Sequence, residues 1–177
     1  QGRDPRMAQT VLCPGYKQVE ATTVTRNTLS SHTGYEPIKF VGTAANSTTS
    51  GAASSDWILM RAAEVYLNYA EAVFKYLGSP YATDGKLTMS AADALDKTRL
   101  RAGLKSLSEV RPGMTNDEFW DVYKTERMVE LAFEGHRFWD VRRWKEADEH
   151  FTSVDEMKLT LNSDSTISYE RNTVSRT

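Results

Sequence analysis

Three glutamates have the residue type and the spacing to do chemistry. Glu126, Glu130 and Glu134 recur every four residues within the segment TERMVELAFEGHRFWDVRRWK, Thr125 to Lys145. A helix turns about 100° per residue, so these three side chains form one stripe along its surface. Clustered carboxylates of this kind serve as general acids, general bases or metal ligands. The stripe is therefore the first candidate for an active site.

The residues around the stripe favour a structural role. Phe119, Tyr123 and Phe133 lie on or beside it, and a buried carboxylate costs several kcal/mol unless a cation or donor meets it. Nearby guanidinium groups favour paired, ionised carboxylates over one with a raised pKa. We predict a charge-neutralised joint between helices. The predicted network consists of Glu126, Arg127, Glu130, Glu134, Arg137, Asp140, Arg142 and Arg143, joined by Glu64, Glu71, Arg99 and Arg101 from other helices.

Other catalytic and metal motifs are missing from the sequence. It has no glycine-rich phosphate loop, no HExxH motif, no paired-cysteine zinc spacing and no nucleophile elbow. The histidines are far apart, and Cys13 has no second cysteine to pair with. We predict no cofactor, no metal and no enzymatic activity.

The composition is that of an ordinary globular domain. The 177 residues are 40% hydrophobic and 26% charged, with a formal charge of -2. This near-neutral charge gives no reason to expect nucleic acid as a partner. The N-terminus has no apolar signal-peptide region, and the apolar stretch 57–77 carries too many charges to span a membrane.

The order of loop-like, helical and strand-like segments predicts a mainly α fold in one domain. Residues 1–55 read as irregular chain with one or two short strands, at Thr22–Thr25 and Ile38–Val41, and then a flexible loop. Residues 56–148 read as a helical core, and residues 149–177 as a hairpin-like tail with strands at Met157–Leu161 and Thr166–Glu170.

Capping residues predict where the helices start and stop. Asp56 is placed to begin the first helix, which Gly78 ends. Ser90 with Asp93 forms a capping box for the second helix, and Gly103 is placed to close it. A third helix starts with the capping box of Thr115 and Glu118 and breaks at Gly135.

The first helix is apolar over most of its circumference, so neighbours must cover it on two or more sides. Stacked helix pairs of the tetratricopeptide or α-solenoid type would provide that cover. Two interpretations of its polar stripe stay open. Either the stripe faces solvent, or Glu64 or Glu71 meets Arg99 or Arg101 of the next helix. The stripe consists of Arg61, Glu64, Asn68, Glu71 and Lys75.

Aromatic residues outside the helices are weak candidates for contacts with a ligand. Tyr16, Tyr35 and Tyr81 lie in loop-like segments, and Trp57 follows the flexible loop. Ordinary loop packing is the alternative for each of them. Trp120, Trp139 and Trp144 are expected to pack in the core or between helices.

Three motifs, in order, resemble the SusD-like (RagB-type) outer-membrane nutrient-binding proteins of Bacteroidetes. They are Trp57–Gly78 (WILMRAAEVYLNYAEAVFKYLG), Ala94–Leu104 (ALDKTRLRAGL) and Glu126–Lys145. Asp4-Pro5-Arg6 and Gly34–Lys39 resemble, more weakly, the family segments that usually precede these three motifs. Asp96 and Thr98 depart from the family's usual Asn and Val.

The resemblance implies a non-catalytic surface lipoprotein of the outer membrane that captures glycan or another nutrient. It further implies a SusC-like TonB-dependent transporter as partner. A scaffold that docks the transporter without binding a ligand is the alternative. From the resemblance we expect this chain to be the C-terminal portion of a longer protein. The family's ligand contacts are variable, so no binding residue is carried over.

Overall fold

A computed structural model of the chain describes residues 3–13, 33–40 and 58–175. The described residues form the following helices and strands: α1 (Met7–Thr10), β1 (Val11–Leu12), β2 (Glu36–Pro37), α2 (Ala62–Leu77), α3 (Ala91–Arg101), α4 (Leu107–Val110), α5 (Asn116–Glu130), α6 (His136–Arg143), α7 (Ala147–His150), β3 (Ser153–Leu161) and β4 (Ile167–Ser175).

The chain divides into two compact units. Unit 1 consists of Gln1–Arg6 and Trp57–His136, and so contains α2 to α5. Unit 2 consists of Met7–Asp56 and Arg137–Thr177, and contains the strands, α1, α7 and all of α6 after its first residue. The chain therefore passes between the units twice within the described residues, after Arg6 and after His136.

Helix α2 begins later than its sequence predicts. The helix starts at Ala62, and its N-cap residue Arg61 has an extended backbone and makes no side-chain capping bond. The predicted cap, Asp56, lies outside the described residues. The predicted end is confirmed: Gly78 has φ +68° and its N–H donates to the carbonyl of Phe74. A left-handed residue costs least when it is glycine, which explains the stop.

The two capping boxes predicted for α3 and α5 are confirmed. Ser90 accepts from the backbone N–H of Asp93, and Thr115 accepts from that of Glu118. Gly103 follows α3 with φ +76°, as predicted. The short helix α4, which Ser106 caps, was not predicted.

The predicted break at Gly135 is also confirmed. Helix α5 ends at Glu130, and the turn that follows contains two left-handed residues, Phe133 at φ +63° and Gly135 at φ +81°. Phe133 is a bulky residue in a conformation that favours glycine. The turn thus separates α5 from α6.

The core of unit 1 lies among α2, α3 and α5. Leu67, Ala70, Leu95, Phe119 and Tyr123 are fully buried there. The ring of Trp120 stacks between Phe74 and Tyr123, with centroid distances of 5.9 and 5.1 Å. These aromatic contacts fix how α5 lies against α2.

Unit 2 contains two antiparallel strand pairs. β3 pairs with β4 from Ser153↔Ser175 to Leu161↔Ile167, which confirms the predicted hairpin and extends it. β1 pairs with β2. The strand predicted at Ile38–Val41 is wrong over residues 38–40: β2 ends at Pro37, and Lys39 and Phe40 form a turn. The strand predicted at Thr22–Thr25 lies outside the described residues.

The mainly helical prediction is confirmed. Helices α2 and α3 pack against each other, but stacking of such pairs into a solenoid stays a prediction. Among the described residues, none of the helices combines the length and the apolar character needed to cross a membrane.

Candidate functional site

The carboxylate of Glu130 is fully occupied by arginines. Its Oε1 accepts from Nη1 of Arg61 at 2.6 Å and from Nη2 of Arg101 at 2.8 Å. Its Oε2 accepts from Nη1 of Arg6 at 2.9 Å and from Nη2 of Arg101 at 3.0 Å. An ionised carboxylate offers about four acceptor positions, and these bonds use them all.

Glu126 is occupied in the same way one turn earlier on α5. Its Oε1 accepts from Nη1 of Arg6 at 2.5 Å and from the Thr98 hydroxyl at 3.0 Å. Its Oε2 accepts from Nη2 of Arg6 at 3.2 Å and from Nη1 of Arg99 at 3.4 Å. The residue is 4% exposed, so it meets donors of the protein and little water.

Arg6 holds the two glutamates together. Its Nε and Nη2 donate to the two carboxylate oxygens of Asp4 at 2.9 and 2.6 Å, and its other bonds go to Glu126 and Glu130. All five guanidinium N–H donors are therefore engaged. The anchor joins the N-terminal segment to α5, since Arg6 and Glu126 are 120 positions apart in the chain.

Glu134 is held by the arginine that precedes α2. Nε and Nη2 of Arg61 donate to its two oxygens at 2.8 and 2.7 Å, a bidentate pair, while Nη2 also donates to the carbonyl of Glu130. Bidentate pairing fixes direction as well as distance. The end of α5 is thereby fixed to the start of α2.

The electrostatics of this cluster favour the ionised forms of Glu130 and Asp4. Burial opposes the charge on Glu130, but the hydrogen bonds from Arg61 and Arg6 outweigh it, and the pKa of Glu130 lies below its ordinary value. The hydrogen bond from Arg6 likewise lowers the pKa of Asp4. A general acid needs a raised pKa near the working pH. The environment of Glu130 shifts it the other way.

Asp96 differs from these acids. Burial raises its pKa, although the backbone N–H of Leu107 donates to both of its oxygens at 2.9 and 3.1 Å. These bonds start helix α4 at Leu107, since the side chain satisfies one of the helix's unpaired N–H groups. Its role is to position α4.

The polar stripe of α2 faces α5. The hydroxyl of Tyr123 donates to Oε2 of Glu71 at 2.7 Å, and Nη1 of Arg127 donates to Oδ1 of Asn68 at 2.8 Å. Nζ of Lys75 lies 3.7 Å from the centroid of a Trp120 ring. Residues further along α2 contact residues nearer the start of α5, so the two helices run antiparallel.

Neither open interpretation describes the whole stripe. Asn68 and Lys75 are exposed, as the solvent-face interpretation expects, but they also contact α5. Arg99 and Arg101 reach Glu126 and Glu130. Glu64 lies with its Oε2 3.7 Å from Nε2 of His136. Asn68, Glu71 and Lys75 thus contact α5 across the interface between two helices of unit 1.

The structure corrects the partners that sequence proximity suggested. Of the four predicted arginines that lie near the stripe in sequence, three belong to unit 2. There Arg137 contacts His150, Arg142 lies over the ring of Phe138, and Arg143 pairs with the buried Asp140. The cations that hold the glutamates are Arg6, Arg61, Arg99 and Arg101. Asp4, Arg6, Arg61 and Thr98 were absent from the predicted network. The sequence signals for them were the resemblance of Asp4-Pro5-Arg6 to a family segment and the position of Arg61 in the polar stripe of the first helix.

A cavity of about 330 Å³ lies beside the cluster, within unit 1. Its walls combine charged and aliphatic side chains from α3, α4, α5 and the N-terminal segment. The lining residues are Asp4, Arg6, Arg99, Leu107, Val110, Arg111, Asp121, Val122, Thr125, Glu126 and Val129. Within the described ranges, no group of three or more His, Cys, Asp or Glu side chains is arranged to hold a metal ion.

The weak aromatic candidates have mixed outcomes. Tyr16 and Trp57 lie outside the described residues. Tyr35 is half-buried, and Tyr81 is 42% exposed, its hydroxyl accepting from the backbone N–H of Met114 at 3.3 Å. The packing prediction is wrong for Trp139, which is 67% exposed on α6.

Comparison with known proteins gives a family match over nearly the whole chain. The model of the SusD family matches residues 1–175. A curated relative, SusD-like protein P2 of Formosa agariphila, is 32% identical over 99 residues. That match covers 55% of this chain but 19% of the relative, so the chain aligns with about a fifth of that protein's length. No solved structure matches the chain.

Proposed function

The chain belongs to the SusD family, and from that premise we propose that it is part of a non-catalytic nutrient-binding protein of the outer membrane. Members of the family are generally binding proteins without catalytic activity. In this proposal the whole protein is a surface lipoprotein that captures glycan or another nutrient. It passes the nutrient to a SusC-like TonB-dependent transporter. The helices of unit 1 supply the scaffold.

The observation that supports a scaffold role most is the occupation of the Glu130 carboxylate. Three arginines use its acceptor positions, and they lower its pKa. A general base needs a free lone pair, and a general acid needs a proton at the working pH. Glu130 meets neither condition, and Glu126 has an equally full set of donors.

The binding function is tested by calorimetry. The chain is titrated with a panel of neutral and acidic oligosaccharides, and binding to at least one is expected. Failure of every glycan, with the chain folded by circular dichroism, would count against nutrient capture by this part of the protein. Co-purification with the transporter alone would then support the docking scaffold.

Catalysis is tested with Glu126→Gln, Glu130→Gln and Glu134→Gln. If the glutamates are structural, each variant loses stability, and the parent shows no turnover of the glycans that it binds. An enzyme would behave differently: the parent would turn over its substrate, and one variant would lose that turnover while its unfolding midpoint stayed unchanged.

A further inference from the structure

We infer that the cavity among α3, α4 and α5 binds a single aliphatic α-amino acid. This inference goes beyond glycan capture, because it assigns a different ligand class to a site that the family match does not specify. It depends on three properties of the cavity: its size, its aliphatic wall, and the charges that remain available at its mouth.

The size of the cavity suits one small ligand. At about 330 Å³ it lies at the lower end of the range for small-molecule sites, roughly 300–1,000 Å³. All of its lining residues belong to unit 1. One amino acid fits such a volume, whereas an oligosaccharide chain would extend past its mouth.

The wall of the cavity is aliphatic on one side. Leu107 and Val110 come from α4, and Val122 and Val129 come from α5, on positions seven residues apart that share one helix face. Within the described part of the chain, none of the lining residues is aromatic. A branched hydrocarbon side chain gains most from such a wall, since burying it removes apolar surface from water.

The deep charges of the cavity are engaged with one another. Arg6 bonds Asp4 and Glu126, while Nε and Nη2 of Arg99 donate to the carbonyl of Lys105 at 3.2 and 3.1 Å. These groups form a polar floor whose hydrogen bonds are already made. A ligand must therefore use the groups at the mouth.

Two charged side chains at the mouth are accessible. The Arg111 side chain is exposed, and its charge acts on the neighbouring carboxylate of Glu118. It donates no hydrogen bond within the described ranges 3–13, 33–40 and 58–175, so its fork can turn to a ligand. Its planar fork matches a carboxylate. The Asp121 carboxylate is 76% exposed, with Nζ of Lys124 at 3.1 Å, and it offers acceptors to an ammonium group.

The charge balance of the lining suits a ligand with no net charge, and a zwitterion meets that condition while also matching Arg111 and Asp121. Three arginines (Arg6, Arg99, Arg111) face three acids (Asp4, Asp121, Glu126), so the wall is formally neutral. A ligand with one net charge would leave that balance uneven, whereas an α-amino acid brings one carboxylate and one ammonium. Leucine combines both groups with a branched aliphatic side chain.

Calorimetry of the chain with leucine tests the inference. Leucine is expected to bind. Leucinamide, which lacks the carboxylate, and 4-methylpentanoate, which lacks the ammonium, are each expected to bind at least about tenfold more weakly, as for the loss of one charge-assisted contact. Failure of the folded chain to bind leucine, or equal binding of all three compounds, would overturn the site.

Paired variants locate the binding. Arg111→Gln should weaken leucine binding at least about tenfold, whereas Lys97→Gln, at an exposed cation of α3 outside the cavity, should leave it unchanged. Thr125→Trp should block the mouth, and Met128→Trp, one turn further along α5, should not. Equal effects within either pair would contradict the assignment.

The same variants separate this inference from the proposed glycan binding. Glycan affinity that survives Arg111→Gln and Thr125→Trp keeps the proposed function, whatever leucine does. Leucine binding without any glycan binding would keep the cavity assignment and remove the glycan proposal. The leucine titration thus tests the cavity assignment, and the glycan titrations test the proposed function.

Discussion

The same chemical pair, a carboxylate with a guanidinium, occurs in two very different settings in this molecule. In unit 1, Glu130 is 3% exposed and meets Arg6, Arg61 and Arg101. In the hairpin of unit 2, Asp155 pairs with Arg171 across β3 and β4, and both side chains are about half exposed or more. Burial removes water as an alternative partner in the first case only.

The fold depends on the buried ion pairs of unit 1 far more than on the exposed pair of the hairpin. A buried acid that loses its partners is left desolvated, so the network of unit 1 must stay complete. The exposed pair exchanges its partner for water at little cost. Stability should therefore depend on residues of the first kind, and the following variants test that difference.

Glu130→Ala is expected to have the largest effect. It leaves three guanidinium groups without their shared acceptor, at a cost of about 3 kcal/mol or more in the free energy of unfolding. Urea unfolding followed by circular dichroism measures the loss, with Glu149→Ala at an exposed position of α7 as control. A loss below about 1 kcal/mol would mean that Glu130 behaves as an exposed pair.

Arg6→Ala and Arg101→Ala compare the stability lost when a buried and an exposed arginine partner of Glu130 is removed. The Arg6 side chain is 9% exposed and joins Asp4, Glu126 and Glu130, so its removal should cost about 3 kcal/mol. Arg101 is 59% exposed, and water replaces its bonds, so we expect less than about 1 kcal/mol. Equal losses in urea unfolding would contradict this ranking.

Ser90→Ala should have an intermediate effect. The Ser90 hydroxyl accepts from the N–H of Asp93 at 3.1 Å and donates to its carboxylate at 2.7 Å. Loss of such a cap costs about 1 kcal/mol. Thermal unfolding measures it, and Ser163→Ala in the exposed hairpin turn serves as control. An unchanged midpoint would show that α3 starts without this cap.

Asp155→Ala should have the smallest effect. The carboxylate of Asp155 accepts from Arg171 and from the Thr173 hydroxyl, but on an exposed face of the hairpin. We expect no measurable change in urea unfolding, because water solvates both groups in the variant. A loss as large as that of Glu130→Ala would remove the distinction between the two regions.

Local signals in the sequence predict the helix boundaries well. The capping boxes at Ser90 and Thr115 and the left-handed Gly78 depend on residues within a few positions of each other. The start of α2 differs from its prediction. Arg61, its N-cap, places its guanidinium on Glu130 and Glu134, which are about seventy positions away.

Long-range partners could not be predicted in the same way. The spacing of Glu126 and Glu130 on α5 is visible in the sequence, and their need for cations follows from burial. The third predicted member of the stripe, Glu134, lies in the turn after α5 and not on the helix. Which arginines meet that need depends on tertiary packing. The prediction that Arg137 and Arg142 pair with the glutamates is therefore wrong, and the sequence did not reveal Arg6 as a partner. The prediction that Trp139 packs in the core or between helices is wrong for the same reason, because residue type alone did not reveal its exposure.

Glu130 is an ionised acid with a structural role, held by three arginines. A depressed pKa means that its pairing stabilises the fold above the unfolded pKa, near 4.5, and that this stability is lost as pH falls through the lower folded pKa. Titration of the Glu130 carboxyl carbon by NMR measures the folded pKa directly. We predict a value below 4.5. A value raised toward neutrality would instead identify a protonated acid, which could not be the ionised partner of these arginines.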